Sequence, residues 1–474
     1  MCKRLRILLW SILVVGSALQ QQQLVGAERA YPLGCSGKPP SYYDYENFLF
    51  PPPGVSLKTT KDFQILRRLG SGKFSDVFEA VDMDLERQLT TTTAASNNKI
   101  ENTKDTITGA VNPRTLVVLK CLKPVSDRKI RRELLVLSHC KCLPNLVQLL
   151  GVVVPETPSP YLPPMPSLIL QHAGVHSQWL CHGRGIDPTS AFALAHDNVN
   201  DNGNNQYLSE YEIKYYVYHL LVALDALHAS GIMHRDVKPR NVLINKERQQ
   251  RHPDLDPALL LIDLGLADMY LPNTRYNVRV ASRHYKSPEL LVGYALYDYA
   301  IDMWGVGCIL AGLLLRREPF FRGRDNQDQL GKIIAVLGTG DLLSYMTKYK
   351  IELTPEIRKV IAKYVIRGGR KKAWTDISVP ADCPKPSDEG LDLLDNLLVY
   401  DHFNRLTARQ AMLHPFFDAV RDRVITEINI MFPHAGNFRD GMDDNVSGSG
   451  ATYYYPSDMR DITGWTSYPP SRSG

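Results

Sequence analysis

The sequence predicts an α+β chain in two lobes, the first rich in strands and the second in helices. Three observations carry this. From Phe63 the segments FQILRRLG and SGKFSDVFEAV alternate apolar and polar residues across a glycine turn. From Leu208 onward, stretches such as EYEIKYYVYHLLVALDALHAS, AIDMWGVGCILAGLLL and EGLDLLDNLLVY are long enough and apolar enough for helices of a core. The change from one pattern to the other falls near Leu170-Gln171-His172, which marks a hinge. A chain of 474 residues can bury two or three cores, and 44% apolar with 22% charged residues is an ordinary globular balance. The net charge of +5 is too small to argue for nucleic acid by itself, so any electrostatic claim has to rest on local clustering.

Taken in order, the chain opens with CKRLR and then ILLWSILVVGSAL, with no acidic residue before Glu28. A basic stretch, an apolar run and the small residues Val25-Gly26-Ala27 are the pattern of a secretory signal over residues 1–27. An uncleaved anchor, an organellar transit peptide and a wrongly assigned start codon are its rivals. Residues 28–60 contain PPSYYDYENFLFPPPG, too rich in proline for a helix. The first lobe, 61–171, continues through a polar Thr/Asn-rich stretch at 86–113 that reads as an exposed insert. It then gives the strand TLVVLKCL and a helix with inward positions Ile130, Leu134, Leu135 and Leu137. The Pro-rich 155–166 and Asn-rich 197–205 are further interruptions. The second lobe spans 172–432, and the Gly/Ser/Asp/Tyr-rich 433–474 reads as a disordered tail. The eight cysteines, including the close pair Cys140 and Cys142, follow neither a metal-ligand nor a disulfide rhythm, and most read as buried thiols.

The chemistry is concentrated in short motifs. Gly70-Ser71-Gly72-Lys73 opens G-x-G-K-x-S-x-V, with Ser75 where a third glycine is usual and Val77 closing the pattern. Backbone N–H groups of such a loop can face phosphates. Lys120 ends an apolar strand, where an ammonium needs a partner or solvent, and Glu133 on the following helix can orient it. His234-Arg235-Asp236-Val237-Lys238-Pro239-Arg240-Asn241 is followed by Leu261-Ile262-Asp263-Leu264-Gly265. Phosphoryl transfer needs a carboxylate to align a hydroxyl, a cation on the γ-phosphate and oxygen ligands for magnesium. Asp236, Lys238 and the pair Asn241 and Asp263 have these chemistries in turn.

With these motifs, residues 61 to 420 resemble the eukaryotic protein kinase family. Pro288-Glu289 is similar to the end of its activation segment, Arg405 to the partner of that glutamate, and Asp302-x-Trp304-x-x-Gly307 to the helix anchoring the catalytic loop. YYDYEN, LKPVSDRKIRRE, GIMHRDVKPRN, YNVRVASRHYKSPELL, DMWGVGC, REPFFRGRDNQDQL and KYKIEL narrow the resemblance to the catalytic α subunit of casein kinase II.

That resemblance implies a bilobal protein kinase fold and a Ser/Thr kinase of acidic protein substrates, active without activation-loop phosphorylation. It implies Mg2+ and ATP, with GTP as a second donor, bound at Gly70, Ser71, Gly72, Lys73, Val77, Lys120, Leu170 and His172. Asp236, Lys238, Lys120 and Glu133 would be catalytic, and Tyr42, Tyr43 and Tyr45 would pack on the activation segment. Arg279, Arg283, Lys286 and Arg240 would read the substrate, with Lys123, Arg128, Lys129, Arg131 and Arg132 as a second cationic face.

The chain departs from that family at several points. Ser126-Asp127-Arg128-Lys129 replaces four lysines, which weakens the expected preference for distant acidic positions. Arg240 replaces histidine, Leu264 tryptophan and Ser287 glycine. The inserts 86–113 and 155–166 leave the sheet where that family's regulatory β subunit docks, so its binding is doubtful. The family is usually nuclear and cytosolic, whereas the leader points to the secretory pathway. A catalytically silent scaffold, or a kinase of the dual-specificity or cyclin-dependent groups, are the competing readings.

Overall fold

The computed structural model describes residues 38, 42–46, 55–96, 112–141, 143–154, 165–174, 177–180, 207–245, 258–365, 369–381 and 383–431. The leader, most of 155–166, all of 197–205 and the tail from 432 lie outside the described residues. No helix among the described residues is long and apolar enough to cross a membrane.

The first lobe is built on β1 (Ser56–Lys58), β2 (Phe63–Ser71), β3 (Ser75–Asp82), helix α1 (Met83–Ser96), β4 (Leu116–Leu122), helix α2 (Asp127–His139), β5 (Leu149–Val153) and β6 (Ser167–Gln171). Its six strands run in the order β1-β5-β6-β4-β3-β2, antiparallel except for β1 beside β5. Ala80, Val117, Leu119, Val153 and Ile169 form a small apolar cluster within this sheet. On α2, the expected inward positions Ile130, Leu134, Leu135 and Leu137 are all buried. The helix keeps its exposed cations on the other face, as an amphipathic period requires.

The insert departs from expectation. Its first part is not loop, because α1 carries the chain straight out of β3 to Ser96. The reason is a cap. Asp82 Oδ1 accepts from the backbone N–H groups of Asp84 and Leu85, both at 3.2 Å, satisfying donors that a helix start would leave orphaned. Asp84 and Glu86 in the first turn favour the helix dipole, and Lys58 holds the cap with Nζ 2.6 Å from Asp82 Oδ2. The threonine run masked this signal in the sequence.

The second lobe follows as β7 (Ser177–Trp179), α3 (Glu210–Ala229), β8 (Ile232–Met233), β9 (Val242–Asn245), β10 (Leu259–Leu261) and β11 (Asp268–Met269). After these come α4 (Pro288–Leu291), α5 (Ala300–Leu314), α6 (Asn326–Leu337), α7 (Gly340–Lys348), α8 (Pro355–Val365), α9 (Asp388–Leu397), α10 (Ala408–Met412) and α11 (Arg421–Met431). A three-stranded sheet β10-β9-β7 and the pair β11-β8 are its only strands among the described residues. Helices α3 and α5 are almost wholly buried, which explains why both read as continuous apolar runs. Ser209 starts α3 with a reciprocal cap, accepting from the Glu212 N–H while Glu212 reaches back to the Ser209 N–H at 2.7 Å.

Tyr42, Tyr43 and Tyr45 are partly buried against the large core. Tyr42 stacks on His139 with ring centroids 4.0 Å apart and donates to the Ser230 carbonyl at 2.7 Å. The Tyr45 hydroxyl accepts from Arg128 at 3.0 Å. These contacts fasten the segment to α2 and to the end of α3, and Gly231 next to Ser230 accepts from Tyr270 of the activation segment at 2.8 Å.

Candidate active site

Strand β4 carries Lys120 into the interior opposite Val77 of β3, close to the glycine loop that joins β2 to β3. That loop closes on itself, with the Gly72 N–H donating to the Ser75 carbonyl at 2.8 Å. Lys123, just after β4, fastens it, donating to the Gly72 carbonyl at 2.8 Å and lying 3.1 Å from Asp76. Lys73 extends over Phe74, 5.4 Å from the ring centre.

The Lys120 ammonium donates to Glu133 Oε1 at 2.7 Å and to Asp263 Oδ1 at 2.8 Å, so one cation joins β4, α2 and the residues after β10. Burial opposes the charge on Lys120, but the two carboxylates outweigh it and hold the ammonium protonated well above its ordinary range. Lys120 in turn draws the Asp263 carboxyl down to about 2. A side chain at Gly265 would crowd this group, since an added Cβ would lie 3.3 Å from Asp263 Oδ1 and 3.4 Å from Glu133 Oε2.

Asp236 is held from two sides. Its Oδ1 accepts from the Ser282 N–H at 2.8 Å, and its Oδ2 accepts from Lys238 Nζ at 2.6 Å, which also donates to Ser282 Oγ at 2.9 Å. Asn241 closes the loop, its Nδ2 donating to the Asp236 carbonyl at 2.8 Å. The amide oxygen of Asn241 is thereby left as the group for a cation. Asp263 likewise has one carboxylate oxygen on Lys120 and a second remaining. The Ile262 N–H donates to the Asn241 carbonyl at 2.9 Å, which places Asn241 beside the chain that bears Asp263. Two hard oxygen donors, with water and phosphate completing the shell, fit magnesium better than a softer metal.

The loop around Asp236 is suspended from α5. The buried Asp302 accepts from the N–H groups of His234 at 2.8 Å and Arg235 at 2.7 Å, and from His228 Nε2 at 2.9 Å. Arg235, at φ 65°, donates to the Leu266 carbonyl at 2.7 Å and the Tyr297 hydroxyl at 3.2 Å, and lies 2.9 Å from Asp268. Arg132 reaches the same Asp268 at 3.4 Å and the Gly265 carbonyl at 3.2 Å. Arg405 and Glu289 form a two-pronged pair at 2.8 and 3.1 Å, both fully buried.

A family model described as protein kinase domain matches residues 63–417. The chain belongs to the protein kinase family. In this kinase, Lys120, Glu133 and Asp263 are brought into direct contact, and so are Asp236, Lys238 and Asn241. Leu170 is buried on β6 opposite Val118. His172 turns its ring to β3: Gly174 N–H donates to Nδ1 at 3.1 Å, so Nε2 carries the hydrogen and meets Glu79 at 2.9 Å. That bond, with Arg67, pulls the Glu79 carboxyl down to about 2 and commits the imidazole to β3.

Arg279, Arg283 and Arg240 are exposed, and no ion pair joins the first two to a described residue. Lys286 differs: it is half-buried and donates to the Val280 carbonyl at 2.6 Å. The second cationic face does not form as expected. Lys123 pairs with Asp76, Arg128 with Glu46 at 3.4 Å, Arg131 with Asp127 at 2.6 Å and Arg132 with Asp268, while Lys129 lies over Phe74. The sequence shows the cations together, and Asp127 with them, but not Asp76, Glu46 and Asp268, which arrive from other segments. Ser282 and Asp268 were missed for the same reason, since no periodicity or spacing marks a residue that acts through a fold-dependent contact. Leu264 is buried in the large core, and Ser287 is buried with φ −71°, a conformation that does not need glycine.

Proposed function

We propose that this kinase is a serine/threonine kinase of casein kinase II type, transferring the γ-phosphate of ATP, with GTP as a second donor, to Ser or Thr followed by acidic residues. The carrying observation is that Ser282, bonded to Asp236, lies between the exposed Arg279 and Arg283. Cations that can read a substrate's acidic side chains therefore project from the segment that fixes the catalytic carboxylate.

In this mechanism Asp236 accepts a hydrogen bond from the attacking hydroxyl and aligns it, held in place by the Ser282 N–H and the Lys238 ammonium. Lys238 neutralises charge on the transferring phosphoryl group. Lys120, oriented by Glu133, holds the nonreacting phosphates. Asn241 and Asp263 would hold magnesium, which would supply charge neutralisation on the phosphates. Activity without activation-loop phosphorylation is supported by Arg235, whose guanidinium is already paired with the carboxylate of Asp268. A regulatory β subunit would have to accommodate α1, which leaves the same sheet.

The test compares peptides bearing Ser followed by acidic or neutral residues, with purified kinase, ATP and magnesium. Arg279→Ala with Arg283→Ala should raise KM for the acidic peptide about 10-fold, roughly 1.4 kcal/mol, and leave KM for ATP unchanged. Equal losses on both peptides, or no transfer by the unaltered protein, would refute the assignment.

A further inference from the structure

A second strongly charged face lies outside the site. Between Pro355 and Lys372 the described residues include six arginines and lysines, Arg358, Lys359, Lys363, Arg370, Lys371 and Lys372, against Glu356 alone. On α8 the apolar period turns Ile357 and Ile361 inward, and Tyr364 packs on Gly331 of α6, where an added Cβ would come within 3.0 Å of the ring. Arg358, Lys359 and Lys363 are left exposed.

After α8 the chain folds back along the end of α6, with the Thr339 N–H donating to the Gly369 carbonyl at 2.9 Å and the Lys372 N–H to the Val336 carbonyl at 2.8 Å. That places the exposed Arg370 and Lys372 beside the same face. Of this group only Lys371 meets a carboxylate among the described residues, Asp395 at 2.6 Å. The contrast with α2 is direct, because three of its four arginines and lysines, Arg128, Arg131 and Arg132, meet carboxylates of the chain.

The face is one helix away from the candidate active site. Helix α6 bonds to the turn at Arg283–Tyr285, with Gln329 Nε2 donating to the His284 carbonyl at 3.1 Å. We propose that the α8 face docks a second acidic stretch of a protein substrate, distant in sequence from the phosphoacceptor. The proposal rests on the acidic-substrate reading above. Unpaired cations at this density repel one another and are relieved by an anionic chain. Single-stranded nucleic acid would call for exposed aromatics between the cations, but Tyr364 is turned inward. A membrane surface would call for an outward apolar row, and α8 exposes only one large apolar residue, Val365.

The test measures binding of a labelled oligoglutamate peptide, which has no Ser or Thr, to the full chain by fluorescence anisotropy. Arg358→Gln, Lys359→Gln and Lys363→Gln combined should weaken binding about 10-fold, and raise KM to a similar degree for a long substrate with a distal acidic stretch. On a short acidic peptide, KM and kcat should be unchanged. Oligoglutamate binding unaffected by these changes, but lost with Arg279→Ala and Arg283→Ala, would overturn the docking face and leave the kinase assignment standing. RNA or anionic vesicles retained through α8 in place of oligoglutamate would overturn it too. Failure of the acidic assignment is read separately, from equal turnover of short acidic and neutral peptides.

Discussion

Asp263 shows how far a single side chain can be derived from its neighbours. Lys120 holds its carboxyl at about 2, below the ordinary carboxylate value, so the folded chain binds this proton more weakly than the unfolded one. The stabilisation is complete above the ordinary value near ~4 and is lost as pH falls toward about 2. Asp263→Asn should therefore destabilise the protein at pH 7 and destabilise it less at pH 3, where part of the stabilisation is already lost, as read by chemical denaturation at both values. An equal effect at the two would contradict the pairing. The residues Asp236, Lys238, Asn241 and Asp263 were legible because their chemistry is written in contiguous loops with fixed spacing. The state of Lys286 and the pairing of Arg128 and Arg132 were not, because each depends on a carbonyl or carboxylate that only the fold delivers.

Among the elements, α5 carries the tightest constraint on the catalytic loop. A Cβ at Gly305 would lie 2.8 Å from both Cβ and the carbonyl oxygen of Val237, the residue after Asp236. Gly305→Ala should cost roughly 1–3 kcal/mol and lower kcat with little change in KM for ATP, since the displacement reaches the loop and not the β-sheet. Thermal denaturation with steady-state kinetics checks both parts, and unchanged stability would mean that Val237 yields freely. Strands β2 to β4 and helices α2, α3, α5 and α9 were readable from periodicity. Helix α1 was not, because its start depends on the Asp82 cap while its threonines argue against helix.

At the scale of the whole molecule, the division into strand-rich and helix-rich lobes was legible because helical and strand periods do not mix. What binds the end of the activation segment to the helical lobe is a fully buried ion pair, Arg405 with Glu289. Arg405 also donates to the Ala300 and Val399 carbonyls, the latter at 2.8 Å, so each polar atom of the pair has an outlet. Arg405→Leu would strand the glutamate and should cost about 3–5 kcal/mol, with a lower midpoint in denaturant. Arg405→Leu with Glu289→Leu should cost less than that single change, and a larger loss in the double variant would contradict an isolated pair.

The bond between Arg235 and Asp268 has a consequence for control. On the proposed reading that the kinase needs no activation-loop phosphorylation, the counter-charge to Arg235 is an encoded amino acid, which no hydrolase could remove. If that reading holds, restraint of the enzyme would fall to its synthesis, its location and the supply of its substrates.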